Sequence, residues 1–290
     1  MTQVLDRPPV RELRASRGAG RRTVARLTLP TLLALTAIVT IVPFAAMVLV
    51  AFAPHSGRTF PDALNLSQVT LENFRHVLAS SDIPRWTVNS LLYSLVSVVC
   101  VLLFASMAGY AFAKKKFPGR EIMFWAFLAT LMVPFQATLI PSYILVSNLN
   151  WVDSYWGLIV PTLANSQAVF LMRQFIAQLP DELFEAAEID GAGEWRIFTM
   201  IVMPLIRPVL ATLGIFVFLW HWNDFLWPLV IGQSAKMQTL TVGLATLQSQ
   251  SPPINELMAG ATITVVPSLL VFALLQRYLT DSITMSGLKA

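Results

Sequence analysis

Apolar residues gather along this chain into long runs separated by shorter polar connections, and run length, not periodicity, carries the first prediction. Six runs stand out, at about 29–53, 87–113, 121–147, 153–177, 205–231 and 258–279. At 1.5 Å per residue, each is long enough to cross a hydrocarbon layer of about 30 Å. A segment that crosses lipid must satisfy its own backbone hydrogen bonds, so each run predicts a helix. The expected fold is an all-α membrane protein with six transmembrane helices. The largest connection, 54–86, is broken by Pro54, Pro61 and Pro84, and 71–78 within it reads as a short helix. Ala51-Phe52-Ala53 invites a reading of the first run as a cleaved signal peptide. Its apolar stretch is too long for a signal core, and Pro54 suits cleavage poorly.

Composition agrees. The chain is 56% apolar and 12% charged, far below the charged quarter of a soluble domain. Its formal net charge of +4 sits largely at one end and forms no basic stripe, which argues against nucleic-acid binding. Cys100 is the only cysteine, so no internal disulfide is possible. His55, His76 and His221 are scattered, which predicts no metal site.

Cations set the orientation, because Lys and Arg near helix ends resist translocation. Arg7, Arg11, Arg14, Arg17, Arg21, Arg22 and Arg26 precede the first run, and Lys114, Lys115, Lys116 and Arg120 separate the second from the third. Arg173, Arg196 and Arg207 border the connection between the fourth and fifth, and Arg277 and Lys289 follow the last. Placing all of these in the cytoplasm leaves Arg58, Arg75, Arg85 and Lys236 outside. Both termini are then cytoplasmic, on an inner-membrane, multi-pass chain. Residues 1–28 form an Arg-rich cytoplasmic segment, expected to be mobile or to lie on the anionic leaflet. The six-helix domain covers 29–290.

The connection at about 178–204 is patterned, not merely polar. Pro180, Asp181 and Glu182 suit a helix start, where the macrodipole favours anions, and Gly191 suits its end. A short helix is predicted over about 181–190 and a second over about 194–203. Leu183 and Phe184 offer apolar knobs, Ala186 and Ala187 permit close approach, and Glu185 and Asp190 offer polar anchors. Such an amphipathic pair serves equally as a lid, a membrane-surface element or a docking site.

Glu185-Ala186-Ala187, Asp190-Gly191-Ala192, Ile201, Met203-Pro204 and Pro208 resemble the coupling signature of binding-protein-dependent ABC importer permeases. Asn89-Ser90, the stretch Gly109-Tyr110-Ala111-Phe112-Ala113 leading to Phe117-Pro118-Gly119-Arg120, and Trp222-Asn223-Asp224-Phe225-Leu226-Trp227-Pro228 resemble its carbohydrate branch. The similarity runs from about residue 30 onward, to the smaller permease of maltose-type importers. It implies a cytoplasmic coupling helix between the fourth and fifth membrane helices, seated in an ATPase cleft by Glu185, Ala186, Ala187, Asp190, Gly191 and Pro204. It also implies a second homologous permease, two ATPase subunits and an extracytoplasmic solute-binding protein. ATP and Mg²⁺ would belong to the ATPases, and this chain has no Gly-x-x-x-x-Gly-Lys-Ser/Thr stretch to cradle phosphates. Family members end in a Gly/Ala-rich tail. Here Ile283 to Ala290 keeps a lysine, Lys289, while the glycines change.

Polar side chains inside a bilayer are costly and therefore informative. Trp220, Trp222, Asn223, Asp224 and Trp227 in the fifth run suit a path for a sugar-like solute, and equally an interfacial tryptophan belt with packing hydrogen bonds. A continuous helix from Arg207 would carry Asp224 roughly 25 Å along, into its outer third. Asn89, Ser90, Gln136 and Thr138 are weaker path candidates, and Pro134, Pro141, Pro161 and Pro267 are candidate kinks. A rival from another class is a stand-alone secondary transporter or channel coupled through Asp224, for which the inverted repeats of that class are not found.

Overall fold

The computed structural model describes residues 16–54 and 69–287, and every regular element among them is helical. In chain order the helices are α1 (Ser16–Ala51), α2 (Glu72–Ser80), α3 (Ile83–Lys114), α4 (Arg120–Ala129), α5 (Phe135–Asn148), α6 (Tyr155–Ile159) and α7 (Ser166–Ala177). They continue as α8 (Glu182–Ile189), α9 (Glu194–Ile197), α10 (Met203–Leu205), α11 (Arg207–Trp222), α12 (Leu226–Ile231), α13 (Leu240–Ser249) and α14 (Ile254–Gly287). Arg7, Arg11 and Arg14 of the leading segment, Arg58 and Pro61, and Lys289 of the tail lie outside the described residues. The backbone is helical from Ser16, so the later part of the Arg-rich segment extends the first helix.

Among the described residues, three helices are long and apolar enough to cross a membrane: Pro30–Ala51 within α1, α3, and Ile254–Gln276 within α14. Two bent pairs raise the number to five if each counts as one span. The unbroken run expected at 121–147 turns by 105° between Arg120–Met132 and Phe135–Asn148. Pro134 causes this: it has no N–H to donate, and it holds Val133 in extended backbone at ψ 117. Pro141 and Pro267, by contrast, lie inside α5 and α14.

The run expected at 153–177 is also divided. Tyr155–Ile159 continues as a 3₁₀ turn, Val160–Thr162, and a new helix starts at Ser166. Asn165 begins it by accepting the Ala168 N–H at 2.9 Å, a local bond that competes with helix continuation. The fifth run is entered through a 77° bend between Glu194–Leu205 and Arg207–Trp222, with Pro204 and Pro208 on either side. It breaks again after Trp222, so α11 and α12 are separate helices. α13 falls in none of the six runs.

α3 is the spine of the molecule, packing most extensively against α7 and α11. Its buried positions, including Trp86, Asn89, Ser90, Tyr93, Ser97, Val101, Ala105, Gly109 and Tyr110, recur at helical spacing and form one stripe. Small residues in that stripe let backbones approach. A Cβ on Gly109 would stand 2.7 Å from Cβ of Met172 on α7. Aromatic N–H groups fasten the outlying elements: Trp86 donates to Ala235 O, Trp222 to Thr264 O and Trp227 to Leu158 O, all at 3.0–3.1 Å.

Candidate functional site

The connection that the sequence singles out folds as predicted into a short helix, α8, against one end of the α3 spine. Asp181 begins it, its carbonyl accepting the N–H groups of Phe184 and Glu185 at 2.9 and 3.1 Å. Glu182 and Glu185 lie in the first turn, where the macrodipole favours them. At the other end Gly191 takes φ +75. The Gly191 N–H donates to Glu188 O at 3.0 Å and the Ala192 N–H to Ala187 O at 2.9 Å, the paired closure that needs a left-handed residue. Nothing lies within 4 Å of a Cβ placed on Gly191. The glycine is therefore required by its backbone angle, not by close packing inside the chain.

The two faces of α8 differ from the expectation in one respect. Phe184 and Ala187, three residues apart, both face inward and join the cluster of Tyr110, Ile197 and Phe198. The Tyr110 ring lies 6.2 Å from Phe184 and 5.8 Å from Phe198. Ala187 and Phe184 are thus core residues and cannot offer a contact surface. Glu185, Ala186 and Asp190 face outward, together with Leu183 and Ile189. Asp190 holds the C-cap position, but the turn is held by backbone bonds and not by its carboxylate.

Ile189, 86% exposed, is an outward residue that sequence reasoning passed over. It lies two residues beyond Ala187 and so cannot share that face, but only the burial of Ala187 shows which face is outward.

Two lysines secure this helix. Lys114 donates to Leu179 O and Asp181 Oδ1, both at 2.6 Å, and Lys115 donates to Glu194 Oε1 at 2.6 Å. The bond from Lys114, reinforced by its charge, holds the Asp181 carboxyl below the usual range. The bond from Lys115 does the same for Glu194 against the opposing effect of burial, helped by a bond from the Tyr110 hydroxyl. After α9 the chain passes through a π-helical turn, Phe198–Val202, into α10, where Pro204 precedes the 77° bend.

The candidate path residues are not brought together. Trp222 and Trp227 are buried in separate clusters, Trp222 stacked on Phe218 and Trp227 packed with Tyr93 and Leu158. Their buried indoles donate to backbone carbonyls of Thr264 and Leu158 instead of lining an interface. Trp220 is 66% exposed. Asn223 caps the end of α11, its Nδ2 donating to Leu219 O at 2.8 Å.

Asp224 does not lie on a continuous helix. It sits in the break before α12, its carboxylate turned toward the first N–H groups there. It accepts the Tyr93 hydroxyl at 2.9 Å, and its carbonyl accepts Thr241 Oγ1 at 2.7 Å. Asn89 is buried and fully used: Nδ2 donates to Lys236 O and Gln238 O at 2.9 and 2.8 Å, and Oδ1 accepts the Tyr155 hydroxyl at 2.6 Å. Ser90 Oγ accepts the Leu240 N–H at 2.8 Å.

Residues 101–285, which include α8, match the model of a known family, described as the inner membrane component of binding-protein-dependent transport systems. The chain belongs to this family. Among its relatives, the arabinooligosaccharides transport system permease protein AraQ of Halalkalibacterium halodurans is 38% identical over 262 residues, covering 88% of this chain and 94% of the relative. The sn-glycerol-3-phosphate transport system permease protein UgpE of Yersinia enterocolitica is 39% identical over 193 residues, covering 66% of this chain and 69% of the relative.

A solved structure, a bacterial ABC transporter involved in the import of the acidic polysaccharide alginate, has a chain that aligns with TM-score 0.78 at 21% identity. The alignment covers 91% of this chain and 98% of that one, and shows a shared fold. As a member of this family the chain is a permease subunit of an ABC importer, not an enzyme.

Proposed function

We propose that this permease subunit forms half of a conduit for a sugar, an oligosaccharide, a polyol or a glycerol-phosphate-type solute, and that α8 is its coupling helix. The observation that carries the proposal is the built asymmetry of α8: an inner face locked into the core, and an outer face of Glu185, Ala186, Ile189 and Asp190 turned away from the rest of the chain. The solute range follows from relatives named for arabinooligosaccharides and for sn-glycerol-3-phosphate.

In this reading the chain crosses the membrane six times with both termini in the cytoplasm, counting each bent or divided run as one crossing. The loop 178–204 then lies at the cytoplasmic surface, where Glu185, Ala186, Asp190 and Ile189 seat against an ATPase subunit. Gly191 and Pro204 shape the chain on either side of that contact. A second related permease completes the pore, two ATPase subunits bind and hydrolyse Mg·ATP, and a solute-binding protein delivers cargo on the outer side. ATP-driven closure of the ATPases moves α8, and the core helices rock between inward-facing and outward-facing states. Asn89, Trp222 and Trp227 hold the frame. Trp220, Asn223 and Asp224 are the members of the fifth run left to face a path.

Solute-stimulated ATP hydrolysis by the assembled complex, screened across the four solute classes, tests this. One class should stimulate hydrolysis, and Glu185→Lys should abolish stimulation while leaving membrane insertion intact. Uptake that persists without the ATPase would overturn the mechanism.

A further inference from the structure

Lys114 and Lys115 enter the sequence argument only as charges that fix orientation. Their contacts give them a second role. Lys114 is the last residue of α3, and its side chain is only 8% exposed. Its ammonium reaches the start of α8, bonding Leu179 O and Asp181 Oδ1 and lying 5.0 Å from the Phe184 ring centroid. Lys115 leaves the helix in extended backbone, φ −98 and ψ 145, so its side chain departs in another direction. Its ammonium reaches the far side of α8, standing 3.6 Å from Glu188 Oε1 on that helix and bonding Oε1 of Glu194, the first residue of α9, at 2.6 Å. It also lies 5.4 Å from the Tyr110 ring centroid, and the Tyr110 hydroxyl completes the group by donating to Glu194 Oε2 at 3.0 Å.

Two consecutive residues where α3 ends, Lys114 and Lys115, therefore grip either side of a helix about 12 Å long. The peptide chain joins α8 only to α7 and α9. The lysines add a direct attachment to the spine. At the opposite end of α3, Trp86 and Asn89 hold the backbone of Ala235, Lys236 and Gln238. One rigid element thus connects α8 with the loop before α13 on the other side of the membrane.

We propose that Lys114 and Lys115 are positioning residues that lock α8 to α3, so that a displacement of α8 is carried by α3 as one body to the 235–238 loop. This rests on the reading of α8 as the coupling helix. The lysines touch neither solute nor nucleotide. They act by keeping two helices in register.

The test uses the complete transporter in liposomes, reading solute moved per ATP hydrolysed. The double variant Lys114→Gln/Lys115→Gln should lower that ratio at least about fivefold, the lower end of ordinary coupling between sites. Exchanging the charges in Lys115→Glu/Glu194→Lys should recover most of what Lys115→Glu alone loses. A lysine that only stabilised the fold would reduce transport and hydrolysis together and leave the ratio unchanged.

A wild-type ratio in the double variant, or an exchange that recovers nothing, overturns the proposal. If Glu185→Lys uncouples while the lysine variants do not, the lock fails and the coupling helix stands. If neither uncouples, the reading of α8 fails with it. Should the double variant not assemble, spin labels at Met107→Cys on α3 and Glu182→Cys on α8, with Cys100 replaced by serine, read the same point with both lysines in place. Their separation should stay constant between nucleotide states while that from α8 to Leu274→Cys on α14 changes. A changing α3 to α8 separation refutes the lock.

Discussion

Acidification reaches α8 through Asp181. Its side chain is exposed, yet the bond and charge of Lys114 hold its pKa below the ordinary value near 3.9. A depressed folded pKa means the unfolded chain takes up the proton first. The contact therefore contributes fully above the ordinary carboxylate range and is lost as pH falls through the folded value. Glu194, held low by Lys115, behaves alike. Corrected for intrinsic exchange, the protection of the α8 amides should be unchanged between about pH 5 and 7 and fall below about pH 4, with Asp181→Asn removing part of that dependence. Acceleration on raising pH through this range, after correction for intrinsic exchange, would contradict the assignment.

Side-chain roles at this scale were unevenly legible. Gly191 could be read because a left-handed turn leaves a sequence signature. Lys114 and Lys115 could not, because their partners lie 67 and 79 residues away. Asn89 and Asp224 drew attention as costly polar groups in lipid, but the partners that satisfy them, Lys236 O, Gln238 O and the Tyr93 hydroxyl, appear only once the chain is folded.

Helices divide between those set by local sequence and those set by their neighbours. Extent was legible for α3, α8 and α14, where long apolar runs or clear end signals act locally. The broken spans were not, because a count of apolar residues does not register that Pro134 redirects the chain by 105° or that Asn165 starts a new helix inside an apolar run. The split of the fifth run at Asn223 to Phe225 and the helix α13 escaped for the same reason.

α8 itself supplies a test of facing. Ala187→Leu forces extra atoms into the buried cluster that holds Tyr110 and Phe198 and should destabilise by about 1–3 kcal/mol, as overpacking does. Ala186→Leu, on the open face, should shift stability by less than about 0.5 kcal/mol and instead impair assembly with the ATPase. Thermal unfolding in detergent and co-purification separate the two. Equal destabilisation by both would mean that the faces are wrongly assigned.

For the whole molecule, a single long helix organises the rest. α3 packs along α7 and α11, carries the lysine grip on α8 at one end, and holds the 235–238 loop at the other. In the proposed reading, the ordered connection that holds α8 serves contact with another subunit.

A cross-link tests it most directly. With Cys100, the only cysteine, replaced by serine, Glu185→Cys should form an adduct with the ATPase subunit in the assembled transporter. Reagent confined to the cytoplasmic side should block it. An intact, transporting complex in which this position reacts only with reagent from outside, or never reaches the ATPase, would contradict the account.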